Sequence, residues 1–325
     1  MPTKKPKSIY RSLFSEAWTI TRSRPWLWVF GIFAAFMTTG GLFELGFRSF
    51  KRIATGRHFL EQLLQGTLPG YDFVVEYIHL FSQLEPWRQS ILLGFFTLGI
   101  VAFVGAAVFS QQILLQEAKE KTPVSWRELW HHERAPFWRL LTLNILSKGL
   151  VGFLLFLSTL PLVLISFQTT GQTIFFSFSV LLLFFLSILG IGILHILTAI
   201  NTVHHHTHLF HALHASIQQV KKHWMALLEL GLLLFLVSFV WTIATCFLLA
   251  AAGMGVIILL LMAVVLNSPT FYFIIVIGSV LILTVLGLLS GGFLTTFHYA
   301  IWVQFHEHLL HEPLVSKLQR VWSKK

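Results

Sequence analysis

Gln219-Val-Lys-Lys-His-Trp224 marks the point where a polar segment passes into a long apolar run, and two similar junctions occur earlier in the chain. Ser23-Arg-Pro-Trp26 and Arg134-Ala-Pro-Phe-Trp138 also place basic or polar residues and then a tryptophan before a span-length apolar run. This is the order expected where a helix passes from lipid headgroups into hydrocarbon. The three junctions therefore predict a membrane protein with recurring span entrances.

The amino-acid composition also indicates a membrane protein. The 325 residues are 55% hydrophobic and 11% charged, which is far from the usage of soluble domains. No charged residue lies between Lys148 and Lys221 or between Glu229 and Glu307, and each gap can hold two spans of about 20 residues. The prediction is an all-α, polytopic membrane protein, a single domain over residues 1–325 with about six transmembrane helices.

The formal net charge of +10 does not indicate a nucleic-acid partner, because the basic residues gather in alternate loops. The positive-inside rule then predicts a multi-pass protein of the plasma (inner) membrane with both termini cytoplasmic. The expected partner of these basic segments is a bilayer with anionic headgroups. The predicted cytoplasmic parts are the amphipathic N-terminus 1–24, the loops 117–137 and 201–223, and the C-terminal segment 304–325, while 47–89 is a partly helical outer loop.

Two amphipathic helices are predicted at the inner membrane surface. Residues 8–22 carry apolar side chains at spacings of three and four. In residues 207–224, one face collects Phe210, Leu213, Ile217, Val220 and Trp224. Tryptophans at the span ends are expected to anchor the protein at the interface, and these are Trp26, Trp87, Trp138 and Trp224.

Three helical hairpins, each preceded by an inner amphipathic segment, predict a parallel repeat with a period near 100 residues, an arrangement that transporters use. Residues 254–266 are too short to cross a bilayer unaided. They are expected to form a re-entrant segment, an interfacial segment or an extension of the fifth helix. The single cysteine, Cys246, excludes a disulfide framework and a thiolate metal site.

The pattern Ala17-Trp-Thr-Ile-Thr-Arg-Ser-Arg-Pro-Trp-Leu-Trp-Val-Phe-Gly31, with the recurring tryptophan-led spans, resembles the membrane region of bacterial glycerophosphodiester phosphodiesterases and related uncharacterised six-helix bacterial membrane proteins. In those enzymes the hydrolytic chemistry belongs to a separate soluble barrel domain, for which this chain has no room. The resemblance therefore implies no catalytic residue here, and we expect no enzymatic activity.

Histidines crowd one inner loop. His204, His208 and His211 fall at i, i+4 and i+7, on one helical face. Imidazoles in that arrangement can bind a divalent metal ion, with Glu307 or Glu312 supplying a carboxylate. The favoured alternative is that histidine, an amphipathic and partly charged residue, simply suits the interface and that the protein holds no cofactor.

Polar residues inside the predicted spans form the preferred site hypothesis. Asn144 and Lys148 lie one turn apart in the third span, and Glu229 lies near the start of the fifth. Charge in hydrocarbon is costly, so such residues usually pair or line a polar path. The alternative is that Lys148 extends to the interface and Glu229 lies at the headgroup boundary.

The leading functional prediction is an accessory, scaffold or lipid-interacting membrane module, with a membrane-protein partner or a homo-oligomer as the assembly. The alternative is a small-solute or metal-ion transporter that uses the Lys148 and Glu229 region, with the His204 to His214 cluster at its mouth. Glycines within the spans, such as Gly31, Gly149, Gly190 and Gly292, are expected to allow close helix packing.

Overall fold

The computed structural model describes residues 9–37, 79, 81–119, 135–165, 171–205 and 208–311. Every secondary-structure element in these residues is an α-helix, which confirms the predicted all-α class. The helices are α1 (Ile9–Ser23), α2 (Leu27–Ala35), α3 (Pro86–Glu117), α4 (Ala135–Ile165), α5 (Gly171–His204), α6 (Leu209–Val265) and α7 (Pro269–His311).

Five helices of the described chain, α3 to α7, are long and apolar enough to cross a membrane. Helix α2 covers only the first part of the predicted first span, and the remainder of that span lies outside the described residues. Most of the predicted outer loop 47–89 and of the inner loop 117–137 is likewise outside them. The multi-pass character is therefore shown, whereas the count of six spans and the repeat stay predictions.

Helix α1 has the amphipathic pattern predicted for residues 8–22. Leu13, Ala17 and Thr21, at a spacing of four, are buried, whereas Arg11 and Arg22 are exposed. A stripe at this spacing lies on one face of a helix. That face is covered by protein, since both α1 and α2 pack against α7.

Glycine allows α2 and α7 to touch backbone to backbone. A Cβ added at Gly31 would overlap the carbonyl oxygen of Gly292, and one added at Gly292 would overlap the carbonyl oxygen of Trp28. Thr296 Oγ1 donates to the carbonyl of Leu27 across the same contact (3.1 Å). The prediction of close packing holds at these two glycines, but a Cβ at Gly149 or Gly190 would meet nothing within 4 Å.

An aromatic cluster around Phe293 holds the same helices together. The rings of Trp18 in α1 and Trp28 in α2 each meet Phe293 edge-on at 5.3 Å, while Trp241 in α6 stacks on it at 4.8 Å. Aromatic pairs in such geometries contribute about 0.5–1.5 kcal/mol beyond the area they bury. Phe293 therefore ties α1, α2 and α6 to α7.

The chain divides into two compact units. The first comprises Met1–Met37, Ala107–Leu140 and Ile196–Lys325, and the second comprises Thr38–Ala106 and Leu141–His195. Within the second unit, α4 and α5 meet through a buried polar pair, in which Ser147 Oγ lies 2.9 Å from His195 Nδ1. The polar cluster described below lies entirely in the first unit.

Helix α6 is continuous over 57 residues, so residues 254–265 extend the fifth helix, which is one of the three arrangements expected for them. Its regular geometry is interrupted at His223 (φ −127°, ψ 26°), where the amphipathic segment meets the apolar span. Beyond that kink α6 runs for about 60 Å at 1.5 Å per residue. It then turns at Asn267 (φ 48°) and packs against α7 as a hairpin.

Candidate functional site

Three carbonyls at the end of α3, the last of them just beyond the helix, accept hydrogen bonds from side chains in three other parts of the first unit. The carbonyl oxygens of Leu115, Glu117 and Ala118 accept hydrogen bonds from His204 Nε2 (3.0 Å), Arg24 Nη1 (2.9 Å) and Gln304 Nε2 (2.8 Å), respectively. The final carbonyls of a helix have no partner within the helix itself. These three donors therefore fix the end of α3 against the α1–α2 junction, α5 and α7.

Arg24 also forms a buried ion pair at this helix end. Its Nη1 lies 2.9 Å from Glu117 Oε2, and the two side chains are 7% and 1% exposed. The guanidinium is placed well, since a positive charge near a helix C-terminus is favourable. Sequence reasoning assigned Arg24 to the cytoplasmic basic group and did not predict this pair.

Asn201 is the centre of a buried hydrogen-bond network that joins α5, α6 and α7. Ser216 Oγ donates to the carbonyl of Ala212 (2.8 Å), so it accepts from Asn201 Nδ2 (2.9 Å). The amide nitrogen of Asn201 also donates to Gln219 Oε1 (3.2 Å). Its Oδ1 must then be the atom that faces His306 Nε2 at 3.1 Å. Gln219 Nε2 lies 3.3 Å from the same nitrogen of His306, so Asn201 and Gln219 both contact this imidazole.

His204, His306 and Glu307 form a polar group, which we call the histidine–glutamate cluster. One ligand-type atom from each residue lies within 4.8 Å of the other two. His204 Nδ1 is 3.8 Å from Glu307 Oε1, and the same oxygen is 3.6 Å from Lys119 Nζ. Both imidazoles are buried at the ring, whereas Lys119 is nearly half exposed.

The structure places only one of the three predicted metal-binding histidines in this cluster. His204 is in it, but His208 and His211 are exposed at the start of α6 and do not join it. Its other members come from α7, about a hundred residues later in the chain, and helical spacing within one loop carries no information about them. Glu307 is one of the two residues expected to supply a carboxylate ligand. The other, Glu312, lies outside the described residues.

The predicted intramembrane residues are distributed over both units. Asn144 is buried and Lys148 half-buried on α4, in the second unit. Glu229 is half-buried on α6, in the first unit, where it accepts a hydrogen bond from Tyr10 (2.9 Å). The grouping of these three residues stays a prediction, and Tyr10 is a partner of Glu229 that sequence reasoning missed.

The hydrogen bond from Tyr10 to Glu229 leads to a pH-dependent prediction. Burial, and then the hydrogen bond and negative charge of Glu229, raise the pKa of Tyr10 above its ordinary value of 10.0. A group with a raised folded-state pKa stabilises the protein below its unfolded pKa and loses that contribution as pH rises further. We expect the thermal unfolding midpoint of the detergent-solubilised protein to fall between pH 9 and 11, and to fall less in Tyr10→Phe. Equal slopes in the two proteins would contradict the prediction.

The predicted interface anchors differ in exposure. Trp87, Trp138 and Trp224 are each more than half exposed, as residues in contact with headgroups are expected to be. Trp87 Nε1 donates to Glu85 Oε2 (2.7 Å), and Arg88 lies over its ring at 5.1 Å. Trp26 is half-buried and packs edge-on against Phe30.

Comparison of the chain with models of known protein families, with curated proteins and with solved structures found no match. The resemblance to the phosphodiesterase membrane region therefore stays an expectation that rests on the N-terminal pattern and the tryptophan-led spans.

Proposed function

We propose that this chain is a non-enzymatic, multi-pass membrane module that binds the bilayer surface through the amphipathic start of α6. The observation that carries the proposal is the orientation of residues 209–222, the part of α6 before the kink, which we call the interfacial segment. Its buried side chains are small or polar, whereas Phe210 on its apolar stripe is largely exposed.

The inward face of the interfacial segment consists of Ala212 and Ser216, which are buried, and Gln219, which bonds to Asn201. The predicted apolar stripe lies elsewhere. Phe210 is 81% exposed, and Leu213 and Ile217 are only half-buried. A helix at the surface of a soluble domain buries its apolar stripe, so the reversed orientation suits a helix that lies in the headgroup region.

Exposed basic residues follow the apolar stripe. Lys221 and Lys222 end the interfacial segment, and Arg11 and Arg22 are exposed on α1. A basic residue close to an anionic membrane surface contributes about 1 kcal/mol of attraction. Anionic headgroups are therefore the proposed partner, and an accessory or scaffold role in the membrane is the function that fits a lipid-binding module of this kind.

Fluorescent labelling tests the orientation of the interfacial segment. In a Cys246→Ser background, Phe210→Cys and Gln218→Cys each give one site, and both positions are exposed. After reconstitution into nanodiscs rich in anionic lipid, we expect a polarity-sensitive dye at position 210 to emit at shorter wavelength and to be quenched by lipid-attached quenchers. The dye at position 218 should emit at the longer wavelength typical of water and should not be quenched by the lipid-attached quenchers.

The dependence on lipid charge supplies the control. Lys221→Gln/Lys222→Gln should weaken the quenching at position 210 in anionic nanodiscs and leave it unchanged in zwitterionic ones. Equal quenching at positions 210 and 218 in the parent background would show that the segment does not lie with its apolar stripe in the bilayer, and the proposed function would fail.

A further inference from the structure

We propose that the histidine–glutamate cluster binds a divalent transition-metal ion, with His204 Nδ1, His306 Nδ1 and a carboxylate oxygen of Glu307 as ligands. This site is separate from the proposed lipid contact and does not depend on it. Neither Nδ1 atom has a hydrogen-bond partner among the residues that the structure describes, although both are buried. Buried polar atoms without a partner are rare, and a missing ion is one reason for them.

The hydrogen bonding of His204 favours coordination through its Nδ1. Its Nε2 faces the carbonyl of Leu115, which only accepts, so Nε2 carries the proton and Nδ1 is left for a metal ion. Metal-binding histidines usually donate their other N–H to a carbonyl or a carboxylate, and His204 does so here. His306 Nε2 lies 3.1 Å from Asn201 Oδ1 and 3.3 Å from Gln219 Nε2, so its Nδ1 is the ring nitrogen without a hydrogen-bond partner among the described residues.

Metal binding requires the ligand atoms to move slightly closer together. Zn²⁺ binds imidazole nitrogen and carboxylate oxygen at about 2.0–2.2 Å, which places tetrahedral ligands about 3.4 Å apart. One ring nitrogen of each histidine and a carboxylate oxygen of Glu307 lie within 4.8 Å of one another, so the side chains must approach by up to about 1.4 Å. Glu307 is the most exposed of the three side chains, at 26%.

Lys119 is the competing cation. Its ammonium lies 3.6 Å from Glu307 Oε1, and its side chain is 44% exposed. A flexible, half-exposed lysine can leave the carboxylate for water when a divalent ion arrives, but its charge opposes that ion until it does. Lysine and metal therefore compete for Glu307. Removing the charge of Lys119 should make the site bind the metal ion more tightly than in the parent protein.

Two imidazoles and one carboxylate form a ligand set used by zinc and by other first-row divalent ions, and they leave a coordination position for water. His204 ends α5, and His306 and Glu307 lie near the end of α7. Because His204 also holds the carbonyl of Leu115, a bound ion would join the ends of α3, α5 and α7 on the side of the membrane where the interfacial segment begins.

Zinc titration of the purified, detergent-solubilised chain tests the proposal. The protein carries a tag without histidine, and a chelating dye competes for Zn²⁺. We expect His204→Ala, His306→Ala and Glu307→Gln each to weaken the tightest binding by more than about 10-fold, since loss of an outer-shell partner alone costs 10–100-fold. Lys119→Met should strengthen the same binding.

Exposed histidines provide the matched control, because they can bind zinc at the protein surface without belonging to the histidine–glutamate cluster. The combined variant His208→Ala/His211→Ala/His214→Ala should keep the tight site. Loss of tight binding in that variant, or unchanged binding in Glu307→Gln together with no gain in Lys119→Met, would overturn the proposal. The Lys119→Met result keeps the test decisive even if a histidine variant fails to fold.

Discussion

Replacing Arg24 with methionine is expected to lower the free energy of unfolding by about 3–5 kcal/mol, because it leaves the carboxylate of Glu117 buried without its guanidinium. Arg24 Nη1 is 2.9 Å from Glu117 Oε2 and also donates to the Glu117 carbonyl. The substitution thus removes both an ion pair and a helix cap. Unfolding in mixed micelles, followed by circular dichroism against denaturing detergent, measures the change.

Two further variants identify the cause of that loss. Arg24→Met/Glu117→Met removes both charges, so it should recover part of the stability lost in Arg24→Met. Arg22→Met changes an exposed residue in the last turn of α1, two positions before Arg24, and should cost less than about 0.5 kcal/mol. If Arg24→Met and Arg22→Met had the same small effect, the buried pair would not be a stabilising contact.

The second large effect is expected at Gly292. An alanine methyl there would overlap the carbonyl oxygen of Trp28 and lie 2.8 Å from Ile32 Cγ1, so α2 and α7 must separate. Overpacking of this kind costs about 1–3 kcal/mol, although alanine is by itself a better helix former than glycine.

Gly291 provides a control at the neighbouring position of the same helix. A Cβ at Gly291 meets nothing within 4 Å. Gly291→Ala should therefore be neutral or stabilising by up to about 1 kcal/mol, in accordance with helix propensity alone. In the same detergent, the thermal unfolding midpoint should fall when Gly292 is replaced by alanine and should stay or rise in Gly291→Ala. A rise in both variants would contradict the backbone contact between α2 and α7.

Local patterns were sufficient to predict much of this fold. The spacing of Leu13, Ala17 and Thr21 predicted helix α1, and the charge-free run between Lys148 and Lys221 predicted helical spans there. These signals repeat every three or four residues or fill an apolar window, so they can be read without tertiary information. The apolar face of α1 was expected at the membrane surface, whereas it packs against α7. The continuous length of α6 was left among three alternatives, because an apolar run as short as residues 254–266 can extend a helix or form a separate segment.

The candidate site was predicted only in part, because its contacts join residues that are far apart in sequence. His204 was singled out by its spacing from His208 and His211, whereas its ring neighbour in the structure is His306. Arg24, Asn201 and Tyr10 are polar residues whose partners depend on how α1, α5, α6 and α7 pack. A periodic pattern describes one face of one helix and cannot identify the helix opposite it.

The length of the α6–α7 hairpin has a consequence for the membrane around it. Each helix would span about 60 Å if straight, against a hydrocarbon thickness of about 30 Å. Tilt alone would have to reach roughly 60° to remove this hydrophobic mismatch, three times the usual average of about 20°. Val265, Leu266 and Phe273 near the hairpin tip are all more than 60% exposed. A second copy or a partner subunit that packs on the tip would therefore shield apolar surface that a bilayer of ordinary thickness leaves in contact with water.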